Sequence, residues 1–201
     1  MSLITILQKV KREYLKPFRS QFNLVAAWLY FDPAILRIPE KSIDAIVVDG
    51  LQYRFDNCSE GIIRQTDPQK TAVRSTDIVL DLDANIGDWA IPLSLKAKHV
   101  YAIEPLYIHK LMNNLVINGI HNVTVYPVCL VDTESRVTKL EVSYQGNKEL
   151  VEAWSFREIL THCGGSLTTP GRIDFLKCDC EGGGWAILPE ECAGIRELRF
   201  E

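Results

Sequence analysis

Two acidic clusters in this chain have types and spacing that could do chemistry. The first is Asp81-Leu82-Asp83-Ala84-Asn85-Ile86-Gly87-Asp88, which follows the apolar run Ile78, Val79 and Leu80. The second is Asp179-Cys180-Glu181-Gly182, which follows an apolar run over residues 173–178. A small-residue turn between a strand and a helix leaves backbone N–H groups facing a ligand. Asn85 and Gly87 are expected to shape such a turn and to aim those groups. A helix-length segment comes next, then a second apolar run at 99–103 that closes on Glu104-Pro105. An acidic residue about 20 positions beyond the turn is placed to accept hydrogen bonds from a ribose. Ligands of such sheets sit outside the carboxyl ends of the strands. The pattern points to an adenosine-type ligand over the turn, with Glu104 on its ribose. Asp81 is expected to hydrogen-bond across the turn or to the ligand, and Asp88 to favour the start of the helix. Asp132 is expected at the end of a third strand, either in a turn or beside the adenine.

The elements that must position these residues alternate from residue 77 onward. Helical spacing of Ile108, Leu111, Met112 and Leu115 predicts a helix over 106–118, with Gly119 as its C-cap. A third strand is expected over 123–131, an extra strand over 138–144, a helix over 156–162, a fourth core strand over 173–178, a helix from Trp185 to Leu188 and a fifth strand over 197–201. The fold class is therefore α/β, a doubly wound parallel sheet in which the core order is 3-2-1-4-5. Before it, residues 3–16 and 22–31 read as helices. Residues 45–48 and 51–55 bracket Asp49-Gly50, a strong signal for a tight β-hairpin. The expected organisation is a helical segment and hairpin cap over 1–76, and the sheet domain over 77–201. A sheet with seven strands of this kind would need two more, so the chain reads as a fragment or a short variant, with the fifth strand an edge that a second copy could cover.

Apolar residues make up 47% and charged residues 24% of 201 residues, enough to bury a core. A net charge of −4 gives no field that would draw the chain to nucleic acid, so no nucleic-acid partner is expected. The six cysteines include no C-x-x-C pair, which argues against zinc and for reduced, structural thiols in a cytoplasmic protein. The apolar run at 24–31 is too short to span a bilayer, which needs about 20 residues.

Taken together, these residues resemble the FkbM family of class I S-adenosylmethionine-dependent methyltransferases. Asp81, Ala84, Asn85, Gly87 and Asp88 match its first motif, roughly D-x-G-A-N-x-G-D, and Asp83 stands where that motif has glycine. Lys177, Asp179, Glu181 and Gly182 match its late motif, roughly K-x-D-x-E-G-x-E, and Gly184 stands where the second glutamate belongs. The resemblance covers residues 77–201. It implies a Rossmann-like methyltransferase domain that binds S-adenosylmethionine through Asp81, Asp83, Asn85, Gly87, Glu104 and Asp132. It implies O-methylation of a small-molecule, sugar or glycolipid hydroxyl, with Asp179 and Glu181 orienting the hydroxyl and taking its proton, or jointly holding a divalent cation. The two departures motivate an alternative, a methyltransferase-like binding module without turnover. Residues 89–95, 101–104 and 113–118 also resemble a tRNA guanine-methylating family, although strand four ends here in Asp-Cys-Glu-Gly rather than Asn-Pro-Pro. A nicotinamide-dependent dehydrogenase is excluded, because its G-x-G-x-x-G turn would need glycines at 83, 85 and 88.

Overall fold

Four mostly apolar runs of four or five residues, closed by turn residues, become the inner strands of one six-stranded sheet. The computed structural model describes residues 22–23, 44–55, 70–144, 147–164, 171–180 and 183–200. In chain order its elements are β1 (Phe22–Asn23), β2 (Asp44–Val48), β3 (Leu51–Phe55), β4 (Ile78–Leu82), α1 (Ala90–Ser94), β5 (His99–Ile103) and α2 (Ile108–Ile117). There follow β6 (Val123–Tyr126), β7 (Val128–Val131), β8 (Lys139–Tyr144), β9 (Asn147–Ser155), α3 (Phe156–His162), β10 (Phe175–Cys178) and β11 (Glu197–Phe200).

The sheet runs β1-β6-β5-β4-β10-β11, and every pairing from β6 to β11 is parallel. This is the expected 3-2-1-4-5 order with β1 added antiparallel outside β6. The expected helix over 22–31 is corrected at its start, where Phe22 and Asn23 pair with Val125 and Thr124. The rest of that helix and the one at 3–16 lie outside the described residues. β4 is buried on both faces, which is why it reads as a continuous apolar run. On one face Val79, Val100 and Val125 pack with Ile91, Leu93, Leu111 and Leu115, and Tyr53 of the hairpin joins them. On the other, Leu80, Leu82 and Leu176 pack with Phe156, Ile159 and Leu160.

The hairpin forms as expected, with Asp49 at φ 51° and Gly50 at φ 81° in the left-handed region that the tight turn requires. It docks on α2 through paired bonds: the Gln52 N–H donates to Asn118 Oδ1 at 2.8 Å, and Asn118 Nδ2 donates to the Gln52 carbonyl at 2.6 Å. α2 ends as the sequence predicts. The N–H groups of Gly119 and Ile120 bond the carbonyls of Val116 and Leu115, closing a Schellman cap.

The third strand is corrected. It stops at Tyr126, because Pro127 offers no N–H to the ladder. The chain then enters a separate three-stranded sheet, β7-β9-β8. The expected helix at 185–188 is replaced by two short 3₁₀ turns, Gly183–Ala186 and Pro189–Cys192. Ser155 and Glu158 form a capping box at the start of α3, which fixes the register of that helix behind β9. Among the described residues no helix is long and apolar enough to cross a membrane.

Two glycines separate backbone strain from steric crowding. A Cβ at Gly87 (φ 96°) would lie 2.8 Å from Ile91 Cδ1 and 2.9 Å from Leu111 Cδ1, whereas one at Gly119 (φ 64°) would meet nothing within 4 Å. Gly119→Ala should cost only the left-handed backbone penalty, about 1–2 kcal/mol, and Gly87→Ala roughly 1–3 kcal/mol more for overpacking. Thermal unfolding of the two variants checks this, and equal melting temperatures would contradict it.

Candidate functional site

β5 and β10 flank β4 on either side, so Glu104 and Asp179 stand at one carboxyl edge with the β4 turn between them. That turn holds Asp83 at φ 63°, Asn85 at 49° and Gly87 at 96°. Asp and Asn are the non-glycine residues that enter the left-handed region at least cost. Asp83 therefore keeps the backbone shape that a glycine would give at this position. The Gly87 N–H donates to the Ala84 carbonyl at 2.8 Å, and the Asn85 N–H donates to Glu104 Oε2 at 2.7 Å. Both groups, expected to face a ligand, bond within the protein.

Glu104 is a clamp. Its Oε1 accepts the N–H groups of Leu106 and Tyr107, both at 2.6 Å, while Oε2 takes Asn85. One carboxylate thus ties the β4 turn, the end of β5 and the start of α2 together. Burial, reinforced by the nearby Asp83 charge and opposed by the three N–H bonds, pushes its pKa up to about 8.

A residue without an assigned role in the sequence reading lies at the centre. Lys177 is buried in β10, in register with Asp81 on β4. Its ammonium donates to the Asp83 carbonyl at 2.8 Å and stands 3.4 Å from Asp81 Oδ1 and 3.8 Å from Asp179 Oδ2. Burial lowers its pKa, but the carboxylates of Asp81, Asp88, Asp179 and Asp83 outweigh that and raise it, so the ammonium stays charged. Asp81 is fully buried, and neither of its oxygens completes a hydrogen bond. Burial raises the Asp81 pKa against the pull of Lys177. The same effect lifts Asp88, whose Oδ1 also lacks a partner, to about 7. The sequence carried half of this signal: a lysine inside an otherwise apolar strand needs an anionic partner, but which residue supplies it depends on register across the sheet.

The structure thus brings Asp81, Asp83, Asn85, Gly87, Asp88, Glu104 and Asp179 to one edge. Asp132 follows β7 of the smaller sheet, where its Oδ1 accepts the Glu134 N–H at 2.8 Å, and the adjacent Thr133 hydroxyl donates to Glu191 Oε1, in the second 3₁₀ turn beyond β10, at 3.3 Å. Glu181 lies outside the described residues. Among the described residues no group of three or more His, Cys, Asp or Glu is arranged to hold a metal ion. Their five cysteines form no disulfide.

No protein-family model matches the chain. Among curated proteins it is 33% identical over 116 residues to the 23S rRNA (uracil(1939)-C(5))-methyltransferase RlmD of Vibrio parahaemolyticus, covering 56% of this chain and 25% of that protein. It is 39% identical over 56 residues to RlmD of Salmonella typhimurium, covering 27% of this chain and 13% of that protein. The chain spans about a quarter or less of the length of these relatives. Solved structures similar in part include TYW2 of M. jannaschii in complex with AdoMet (22% identity, 48% of this chain and 54% of that chain, TM-score 0.38). Another is the methyltransferase FkbM of Methylobacillus flagellatus (17% identity, 66% and 34%, TM-score 0.43). Scores this low assign the chain to neither family.

The expectation that nucleic acid is excluded as a partner is corrected here. The curated relatives are methyltransferases of ribosomal RNA. A net charge of −4 averages over 201 residues and describes a long-range field, not what one edge of a domain contacts.

The raised carboxyls have a consequence for stability. A carboxyl group whose folded pKa lies above its unfolded value binds its proton more tightly when folded. Its contribution is fully present below the unfolded value and is lost as pH rises through the folded one. For Glu104 that window runs from the ordinary glutamate value of 4.5 to about 8. Glu104→Gln should therefore flatten the loss of thermal stability between pH 6 and pH 8.5 relative to wild type. Parallel melting curves across that range would contradict the assignment.

Proposed function

We propose that the domain binds S-adenosylmethionine over the β4 turn and transfers its methyl group to an RNA. The observation that carries this reading is the meeting of an anionic turn and two carboxylate-tipped strand ends at one sheet edge, in a chain whose curated relatives methylate RNA. The residues present suit this cofactor. Asp81 and Asp88 present buried oxygens without hydrogen-bond partners, and a surplus of carboxylates around one ammonium suits a ligand bearing a sulfonium and an amine. A carboxylate has about four acceptor positions. Glu104 fills three with backbone N–H groups, leaving one for a ribose hydroxyl.

S-adenosylmethionine, when bound, supplies a methyl group already activated for displacement, so alignment accounts for most of the catalysis. Asn85, Gly87 and Asp83 shape the floor of the site, and Glu104 holds the ribose. Asp179, with a side chain 43% exposed, is the carboxylate free to orient an acceptor and take its proton. Trp185, 92% exposed in the 3₁₀ turn beyond β10, offers a face on which a base could stack. A second reading, transfer to a hydroxyl oxygen, is favoured by the accessible Asp179 carboxylate, since a hydroxyl must lose its proton as it is methylated.

Calorimetric titration with S-adenosylmethionine should give saturable heat with Kd in about the micromolar range, near −8 kcal/mol; no heat at millimolar ligand would overturn the reading. Labelled methyl groups should then enter total RNA. Label appearing only in non-RNA acceptors would overturn the RNA assignment.

Asp83→Gly addresses the departure from the methyltransferase motif. Because Asp83 already holds the left-handed backbone, the substitution should change S-adenosylmethionine affinity by less than about threefold, under 0.7 kcal/mol. A gain of tenfold or more would instead mark the natural site as degenerate and favour the binding-module alternative.

A further inference from the structure

Lys177 touches both halves of the site with one atom. An ammonium has three donors. One reaches the carbonyl of Asp83 on the turn at 2.8 Å, and the others face Asp81 Oδ1 at 3.4 Å and Asp179 Oδ2 at 3.8 Å. Of these partners, Asp81 is immobile within β4 and fully buried, whereas the Asp179 side chain is 43% exposed. The ammonium itself is buried, with its side chain 2% exposed, so water screens its contacts with the turn little, while the longer contact with the 43% exposed Asp179 is partly screened and is the one a change at the turn can shift.

We propose that Lys177 is a positioning residue that links the conformation of the β4 turn to the orientation of the Asp179 carboxylate. It does so because one buried ammonium is shared between the Asp83 carbonyl and Asp179. Resting on the methyl-transfer reading, the proposal assigns this link a purpose: filling the turn with cofactor and presenting the carboxylate to the acceptor become one event. With the turn empty, Lys177 is divided between the Asp83 carbonyl and Asp179. When a cationic ligand sits against the carboxylates of the turn, it competes with the ammonium there, so Lys177 is left to Asp179 and fixes the orientation of that carboxylate.

The experiment uses Asp179→Asn, at a position exposed enough to keep the fold, and reads amide hydrogen exchange of residues 84–88 in the ligand-free protein. Removing the charge at 179 leaves Lys177 wholly to the turn, so the Asn85 and Gly87 amides should exchange at least about threefold more slowly. A role confined to neutralising Asp81 would leave them unchanged, and unchanged rates overturn the proposal. A second arm measures binding of S-adenosylhomocysteine by calorimetry in wild type, Asp179→Asn, Lys177→Met and the double variant. Asp179→Asn should alter affinity about threefold in the wild-type background and not in Lys177→Met, whereas equal effects in both backgrounds overturn the link. Should Lys177→Met fail to fold, the exchange arm decides alone. Should wild type give no binding heat, the methyl-transfer reading fails while the exchange result still decides whether Lys177 couples the two elements.

Discussion

The structure of the site depends on one buried cation. Lys177 enters β10 where a sheet covered on both faces would otherwise take an apolar residue, and it stands opposite Asp81 on the central strand. A lone charge in that position would cost several kcal/mol, and a pair only partly recovers the cost. Such a pair is therefore weak evidence for stability and better evidence for a specific task. Here the task is geometric: the ammonium fastens the turn after the first strand to the end of the fourth. The two motifs, separated by almost a hundred residues in sequence, become one surface.

Glu104 performs the matching operation on the other side of the turn. Its three backbone bonds fasten the turn to the end of β5 and the start of α2. The turn is thus held from both neighbouring strands, by an ammonium on one side and a carboxyl group on the other. This arrangement explains how three residues in left-handed conformations, two of them not glycine, persist in succession. The anionic character of the edge follows from the same plan, because Asp81, Asp83, Asp88 and Asp179 share a single ammonium.

Much of this architecture was legible in the sequence, and the reasons are local. The core strands could be read because the runs at 78–82, 99–103 and 175–178 are mostly apolar and largely buried, as strands inside a covered parallel sheet must be. The Asp49-Gly50 hairpin and the Gly119 cap carry their turn chemistry in their residue types. β9 does not announce itself, since Lys148, Glu149 and Glu152 interrupt it and the buried residues, Val151, Ala153, Trp154 and Ser155, gather at its end. The split at Pro127 was visible as a proline in the middle of an apolar stretch, yet the periodicity on both sides reads as one strand. The role of Lys177 was hidden because its partners Asp81 and Asp83 come from another strand, and spacing along a chain carries no information about register across a sheet. Charge misled in the opposite way: an acidic total says nothing of an acceptor met at one edge.

The most direct test of this account is the thermal stability of Lys177→Met at pH 8, a substitution that keeps an unbranched side chain one atom shorter and removes its charge. If the ammonium is what holds the two turns together, carboxylates left buried without a cation should cost about 3–5 kcal/mol. That is a fall in melting temperature of roughly 10 °C for a domain of this size. A variant that melts within about 2 °C of wild type, less than 1 kcal/mol at this size, would contradict it.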